Sequence, residues 1–170
     1  MRQVRLYEAV TAEDVWALIR GLGARTLVFD VEPLVAVWAT DTATLDSGVV
    51  ETLRRVEELS GGGVEAVLFA TNSARRPTTL PSMIGARVGY RASASKPLRV
   101  KGYRDLPRPG VVIGDQIATD GALAWRLGFD FVFYRPERDR IPFRPRLLHL
   151  VGGGLRPLLF APGSRTLPFR

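Results

Sequence analysis

Apolar and polar positions along the chain alternate between short continuous apolar runs and amphipathic stretches. Thr11-Ala-Glu-Asp14 stands before Val15, Leu18 and Ile19, which predicts a capped amphipathic helix ended by Gly21 or Gly23. Thr26-Leu-Val-Phe-Asp30 is a short apolar run closing on an acid, the pattern of a buried strand. Ser47 is the expected cap of a second helix whose apolar face is Val49, Val50, Leu53, Val56 and Leu59, stopped by Gly61-Gly-Gly63. A second buried strand is predicted at 64–70 and further strands at 86–90, 111–114 and 131–134, with a helical stretch from Thr119 to Leu127. Strands alternating with helices call for an α/β domain, a three-layer, doubly wound Rossmann-like parallel sheet with helices on both faces. Past Arg135 the pattern fades into Pro, Gly and Arg. The expected organisation is therefore one domain over 1–136, with a basic extension over 137–170 packed on it or trailing from it.

Composition narrows the chemistry. The 170 residues suit a single domain, and no apolar run approaches the roughly 18–20 residues that cross a bilayer. The first residues lack the plan of a secretory signal, and the expected location is cytoplasmic. There is no cysteine, which removes disulfides, thiolate metal sites and thiol catalysis. His149 is the sole histidine, which argues against a Ser-His-Asp triad and multi-histidine zinc sites. Carboxylates, hydroxyls, amides, lysines and arginines remain.

Net charge is +7, and of 24 basic residues only Lys96 and Lys101 are lysines. Such an excess draws phosphate-bearing partners, although the basic residues are spread out with no aromatic–basic stacking motif, which speaks against nucleic acid. From Pro136 to Arg170 seven arginines face Glu137 and Asp139, interleaved with Phe143, Leu147, Leu148, Leu158, Leu159, Phe160 and Phe169. That mixture fits peripheral contact with an anionic membrane surface, or a loosely packed terminus.

In such sheets ligands bind outside the carboxyl ends of the strands, and here the polar residues fall at those ends. One strand delivers Asp30 and Glu32, the next Thr71 and Asn72, a later one Asp115 and Asp120, and Lys96 lies in a loop between. Converging carboxylates repel and raise one another's pKa unless a cation stands among them. A divalent metal together with Lys96 resolves that repulsion, and an oxygen-only donor set favours Mg²⁺. Phosphate oxygens then have positions on the ion, on Thr71, Asn72 and loop N–H groups, and on Lys96, with Asp30 facing phosphorus as a nucleophile.

Taken together, Asp30-Val-Glu32, Thr71-Asn72, Lys96-Pro97 and Gly114-Asp115-Gln116-Ile-Ala-Thr119-Asp120 resemble the four motifs of the haloacid dehalogenase (HAD) superfamily of phosphohydrolases. The Lys-Pro pair and the fourth run, followed by Arg126-Leu-Gly128, look most like subfamily IIIA and its phosphatidylglycerophosphate phosphatase branch, over roughly residues 11–136. The resemblance implies a Mg²⁺-dependent phosphatase working through an aspartyl-phosphate on Asp30. It implies Glu32 as general acid/base, lending its backbone carbonyl to the metal. Thr71 then binds the phosphoryl group, and Asn72 supports the loop. Lys96 neutralises nucleophile and phosphoryl group. Asp115 ligates Mg²⁺, and Asp120 holds Lys96 or a metal-bound water.

One motif departs from that family's pattern. Where Asp-x-Asp-x-Thr is usual, this chain has Asp30-Val-Glu32-Pro33-Leu34. Two outcomes stay open: a retuned phosphatase, or a phosphate-binding or regulatory protein with little turnover. The intervals after Glu32 and between Asn72 and Lys96 have no room for a lid domain, so a capless site and a bulky or lipid-type phosphate substrate are expected. Arg75 and Arg76, at the rim, are candidates for a second anionic group of that substrate.

Overall fold

The computed structural model describes residues 4–38, 40–135, 152 and 154–160. Six strands, all parallel, form one sheet: β1 (Leu6–Ala9), β2 (Thr26–Phe29), β3 (Ala66–Ala70), β4 (Arg87–Arg91), β5 (Gly110–Gly114) and β6 (Asp130–Tyr134). Their spatial order is β1-β6-β5-β2-β3-β4. Helices α1 (Ala12–Leu22) and α2 (Thr42–Ser60) cover one face, and α3 (Ala122–Leu127) covers the other. The fold is the three-layer α/β arrangement that the alternation predicts.

Local signals explain most boundaries. Thr11 and Asp14 close a reciprocal capping box at the start of α1, and Gly23 ends it in the left-handed conformation. Gly61 ends α2 in the same way. That helix begins five residues before the expected Ser47, because Asp41 caps it by accepting the Thr44 N–H at 2.8 Å. Leu45 is thereby buried within the helix, whereas Val50, expected on the apolar face, is 52% exposed. The sequence reading also misses β1. Its Leu6-Tyr7-Glu8-Ala9 mixes apolar and charged positions because it is an edge strand, paired on one side with β6. No helix forms between β3 and β4, where a helix and a short strand had room to form.

The core divides by strand parity. Leu27, Phe29, Val67, Phe69, Val111 and Ile113 point toward α1 and α2. There Phe29 stacks on Phe69 with ring centroids 5.9 Å apart, contributing about 0.5–1.5 kcal/mol beyond area burial. Val28, Leu68, Val112, Phe131 and Phe133 point the other way, toward Leu123, Ala124 and Leu127 of α3. This second layer also receives part of the C-terminal extension. Phe160 is buried and stacks on Phe131 at 5.8 Å, Leu155 and Leu159 join the same cluster, and Arg156 pairs with Glu8 of β1. Residues 154–160 are therefore packed on the domain. Glu137, Asp139, Phe143, Leu147, Leu148, His149 and Phe169 lie outside the described residues. Among the described residues no helix is long and apolar enough to cross a membrane.

Two strands set the position of the site. The chain runs from β2 outward to β3 and β4, then returns to β5 on the opposite side of β2. The gap between the carboxyl ends of β2 and β5 is thus the topological switch point, where loops diverge and leave a crevice. Phe29 is in register with Ile113, and the Asp30 N–H donates to the Ile113 carbonyl at 2.7 Å. The acids that follow these two strands are consequently neighbours.

Because Phe160 fills the second layer, Phe160→Ala is expected to lower unfolding free energy by about 3–5 kcal/mol in urea denaturation. Leu158→Ala, at a 75% exposed position on the same turn, is expected to leave it within about 0.5 kcal/mol.

Candidate active site

The crevice brings together Asp30, Lys96, Asp115 and Asp120. Carboxylate oxygens of the three aspartates lie within 4.8 Å of one another. Asp115 and Asp120 are fully buried, and the Asp30 side chain keeps 11% of its exposure. The Lys96 ammonium is 2.8 Å from Asp30 Oδ1 and 2.6 Å from Asp120 Oδ1. Asp30 Oδ1 also accepts the Val31 N–H at 2.8 Å. Both contacts fall on the same oxygen, which leaves Oδ2 for chemistry.

The electrostatics follow from burial and from the count of charges. Burial pushes the Asp30 carboxyl well above the usual carboxylate range. The Asp120 charge adds to the rise, Lys96 opposes it, and Asp115 raises it further. Burial alone would lower the Lys96 ammonium, but the Asp120 and Asp30 carboxylates outweigh it and hold its pKa above the ordinary value. Three carboxylates against one ammonium leave an excess of negative charge in a low-dielectric crevice. The donors are hard oxygens, and the three aspartates could together hold a metal ion.

Each member is held by a neighbouring loop. Asn72 brackets the Lys96 backbone: its Oδ1 accepts the Lys96 N–H at 2.8 Å, and its Nδ2 donates to the Lys96 carbonyl at 3.3 Å. The loop before Lys96 carries Ser93 and Ser95 at φ 49° and 53°, left-handed conformations that cost non-glycine residues roughly 1–2 kcal/mol each. Bonds from the Ser93 N–H to the Ser73 carbonyl and from the Ala94 N–H to the Thr71 carbonyl hold them there. Asp120 enters from the turn Ile117–Gly121, its Oδ2 accepting the Gln116 N–H at 3.2 Å. It fits because residue 114 is glycine: a Cβ there would stand 2.5 Å from Asp120 Oδ2. Gly152 and Phe160 of the extension back the same turn, against Ile117 and Gly121.

Glu32 belongs to a second cluster. Its Oε2 accepts the Thr71 hydroxyl at 2.8 Å; its Oε1 takes Arg75 Nη1 at 3.1 Å and the Ser73 hydroxyl at 3.4 Å. The Arg75 guanidinium also donates to the carbonyls of Val37 and Thr40 and, at 2.8 Å, to the Thr40 hydroxyl. Both terminal nitrogens of Arg75, expected at the rim for a second anionic group, thus bond protein oxygens. Arg76 is exposed. Asn72, expected on phosphate, spends its amide on Lys96. The loop bearing Glu32 lies flush on α2, where a Cβ on Gly48 would meet the Val35 carbonyl oxygen at 1.9 Å.

Sequence reasoning missed three contributors. Ser73 completes the polar run after β3, and a second hydroxyl-bearing position there was its signal. The Gln116 N–H is a backbone donor that side-chain motifs do not reveal. Tyr103 is buried; burial raises its pKa, and its hydroxyl has no hydrogen-bond partner among the described residues.

Lys96→Met leaves buried carboxylates uncompensated, so a loss of about 3–5 kcal/mol in denaturant titration is expected. Lys101→Met, at the chain's other lysine, is exposed and is expected to change stability by less than about 0.5 kcal/mol. Across family models, curated proteins and solved structures, nothing matches this chain, so what the site does is argued from its geometry.

Proposed function

We propose that the protein is a Mg²⁺-dependent phosphohydrolase of the HAD type, acting through an aspartyl-phosphate on Asp30. The observation that supports this most is the meeting of Asp30, Asp115 and Asp120 around Lys96 at the switch point, from segments far apart in sequence. Asp30, through one carboxylate oxygen, and Asp115 would hold the ion, with the Glu32 backbone carbonyl as a further donor. When bound, Mg²⁺ supplies charge neutralisation for the transferring phosphoryl group.

The chain's own groups do the rest. Asp30 Oδ2 attacks phosphorus while Oδ1 is held by Val31 N–H and Lys96. Lys96 offsets the negative charge that nucleophile and phosphoryl group bring together, which in a buried site is worth far more than in water. Asp120 keeps the ammonium aimed. Thr71 and loop N–H groups would bind the other phosphoryl oxygens. The segments after Glu32 and after Asn72 are short, which suits a bulky phosphomonoester that extends out of the crevice.

A second reading, a phosphate-binding protein with little turnover, draws on the way Glu32 is tied to Arg75, Thr71 and Ser73. The two separate in one assay. With Mg²⁺, the wild-type chain is expected to hydrolyse aryl phosphate, Asp30→Asn to abolish turnover, and chelation of the ion to do the same. Tight phosphate binding without turnover, unrelieved by Glu32→Asp, supports the second reading instead.

A further inference from the structure

A phosphoryl group moves to Asp30 only if the oxygen it leaves can depart. The leaving oxygen either accepts a proton as the P–O bond breaks or carries the electron pair away as an anion. The structure shows which groups near Asp30 are available to help. Both oxygens of Glu32 are engaged: Oε2 by Thr71, Oε1 by Arg75 and Ser73. A carboxylate held by three protein donors turns to the leaving group only by giving up those bonds. The Lys96 ammonium is spent on Asp30 and Asp120, and Asp120 in turn on Lys96 and the Gln116 N–H.

Arg75 fixes this arrangement. Its Nη1 bonds Glu32 and the Val37 carbonyl and its Nη2 the Thr40 carbonyl and hydroxyl, so moving Glu32 toward a substrate breaks a charge-assisted bond to a fixed guanidinium together with the bonds to Thr71 and Ser73. The Tyr90 hydroxyl donates to the Arg75 carbonyl at 3.1 Å, anchoring the residue from β4.

We infer that the site acts on phosphates whose leaving oxygen is weakly basic, aryl and acyl phosphates, in preference to phosphates of ordinary alcohols, and that Arg75 is the positioning residue that sets this preference. The inference rests on the phosphohydrolase reading above. In the first step Asp30 Oδ2 bonds to phosphorus and the P–O bond to the leaving group breaks. Its electron pair remains on an aryloxide or carboxylate that needs no proton. Water then attacks phosphorus and the acyl–phosphate bond returns its pair to Asp30. Inorganic phosphate leaves, and the water's proton passes to solvent.

The test is kcat/KM with Mg²⁺ across substituted phenyl phosphates of graded phenol acidity, acetyl phosphate, and ethyl and glycerol phosphates. The expected result is a steep fall with leaving-group basicity. Alkyl phosphates should lie at least about 100-fold below 4-nitrophenyl phosphate, the lower end of what a general acid normally supplies. Arg75→Met, which leaves only the Ser73 hydroxyl on Glu32 Oε1, should flatten that dependence by raising the alkyl substrates relative to the aryl ones. Thr40→Val, which loosens only the other end of the guanidinium, should keep the wild-type slope. A shallow slope in the wild type, an unchanged slope in Arg75→Met, or equal flattening in Thr40→Val overturns the inference while leaving the hydrolase intact. No turnover of any substrate overturns the hydrolase reading, and this one with it.

Discussion

Three carboxylates confined to one buried crevice with a single ammonium are the constraint on which the rest of the structure depends. Such a cluster is unfavourable by itself: burial and mutual repulsion drive the Asp30 carboxyl upward against the pull of Lys96. A fold that sought stability alone would place apolar groups there. Instead the surrounding loops spend backbone strain and hydrogen bonds on keeping these charges together. Ser93 and Ser95 take left-handed conformations, Asn72 brackets Lys96 on both sides of its peptide, and Gly114 makes room for Asp120. Local strain held by many partners is what a preorganised charge site requires.

The sheet makes the convergence possible. Because β2 and β5 are adjacent and in register, acids separated by 85 positions become neighbours without any long side chain having to reach. Helices α1 and α2 hold β2 from one face. The other face is held by α3 and residues 154–160, and the latter also press on the turn that carries Asp120. The C-terminal extension therefore takes part in shaping the crevice, a role its arginine-rich, proline-rich composition does not suggest.

Much of this is legible in the sequence, and the reason is physical. Buried parallel strands must be continuous apolar runs, so β2, β3, β5 and β6 stand out, and acids directly following β2 and β5 mark their carboxyl ends. Helix ends show where a capping box or a left-handed glycine is needed, as at Thr11 and Gly61. Legibility fails where tertiary context decides. Leu6–Ala9 pairs on one side only and lacks the apolar signature. Asp41 caps α2 although Ser47 looks equally able. Above all, the commitment of Arg75 to Glu32 and Thr40 cannot be read from spacing. It arises because the segment after β3 folds against the loop after β2.

The most direct measurement of the central claim is anomalous diffraction from crystals equilibrated with Mn²⁺ as a heavier stand-in for Mg²⁺. The account requires one strong peak bounded by the Asp30 and Asp115 carboxylates, absent in an Asp115→Asn crystal treated identically. A crevice that stays without a peak at millimolar Mn²⁺, its aspartates still in place, would contradict it.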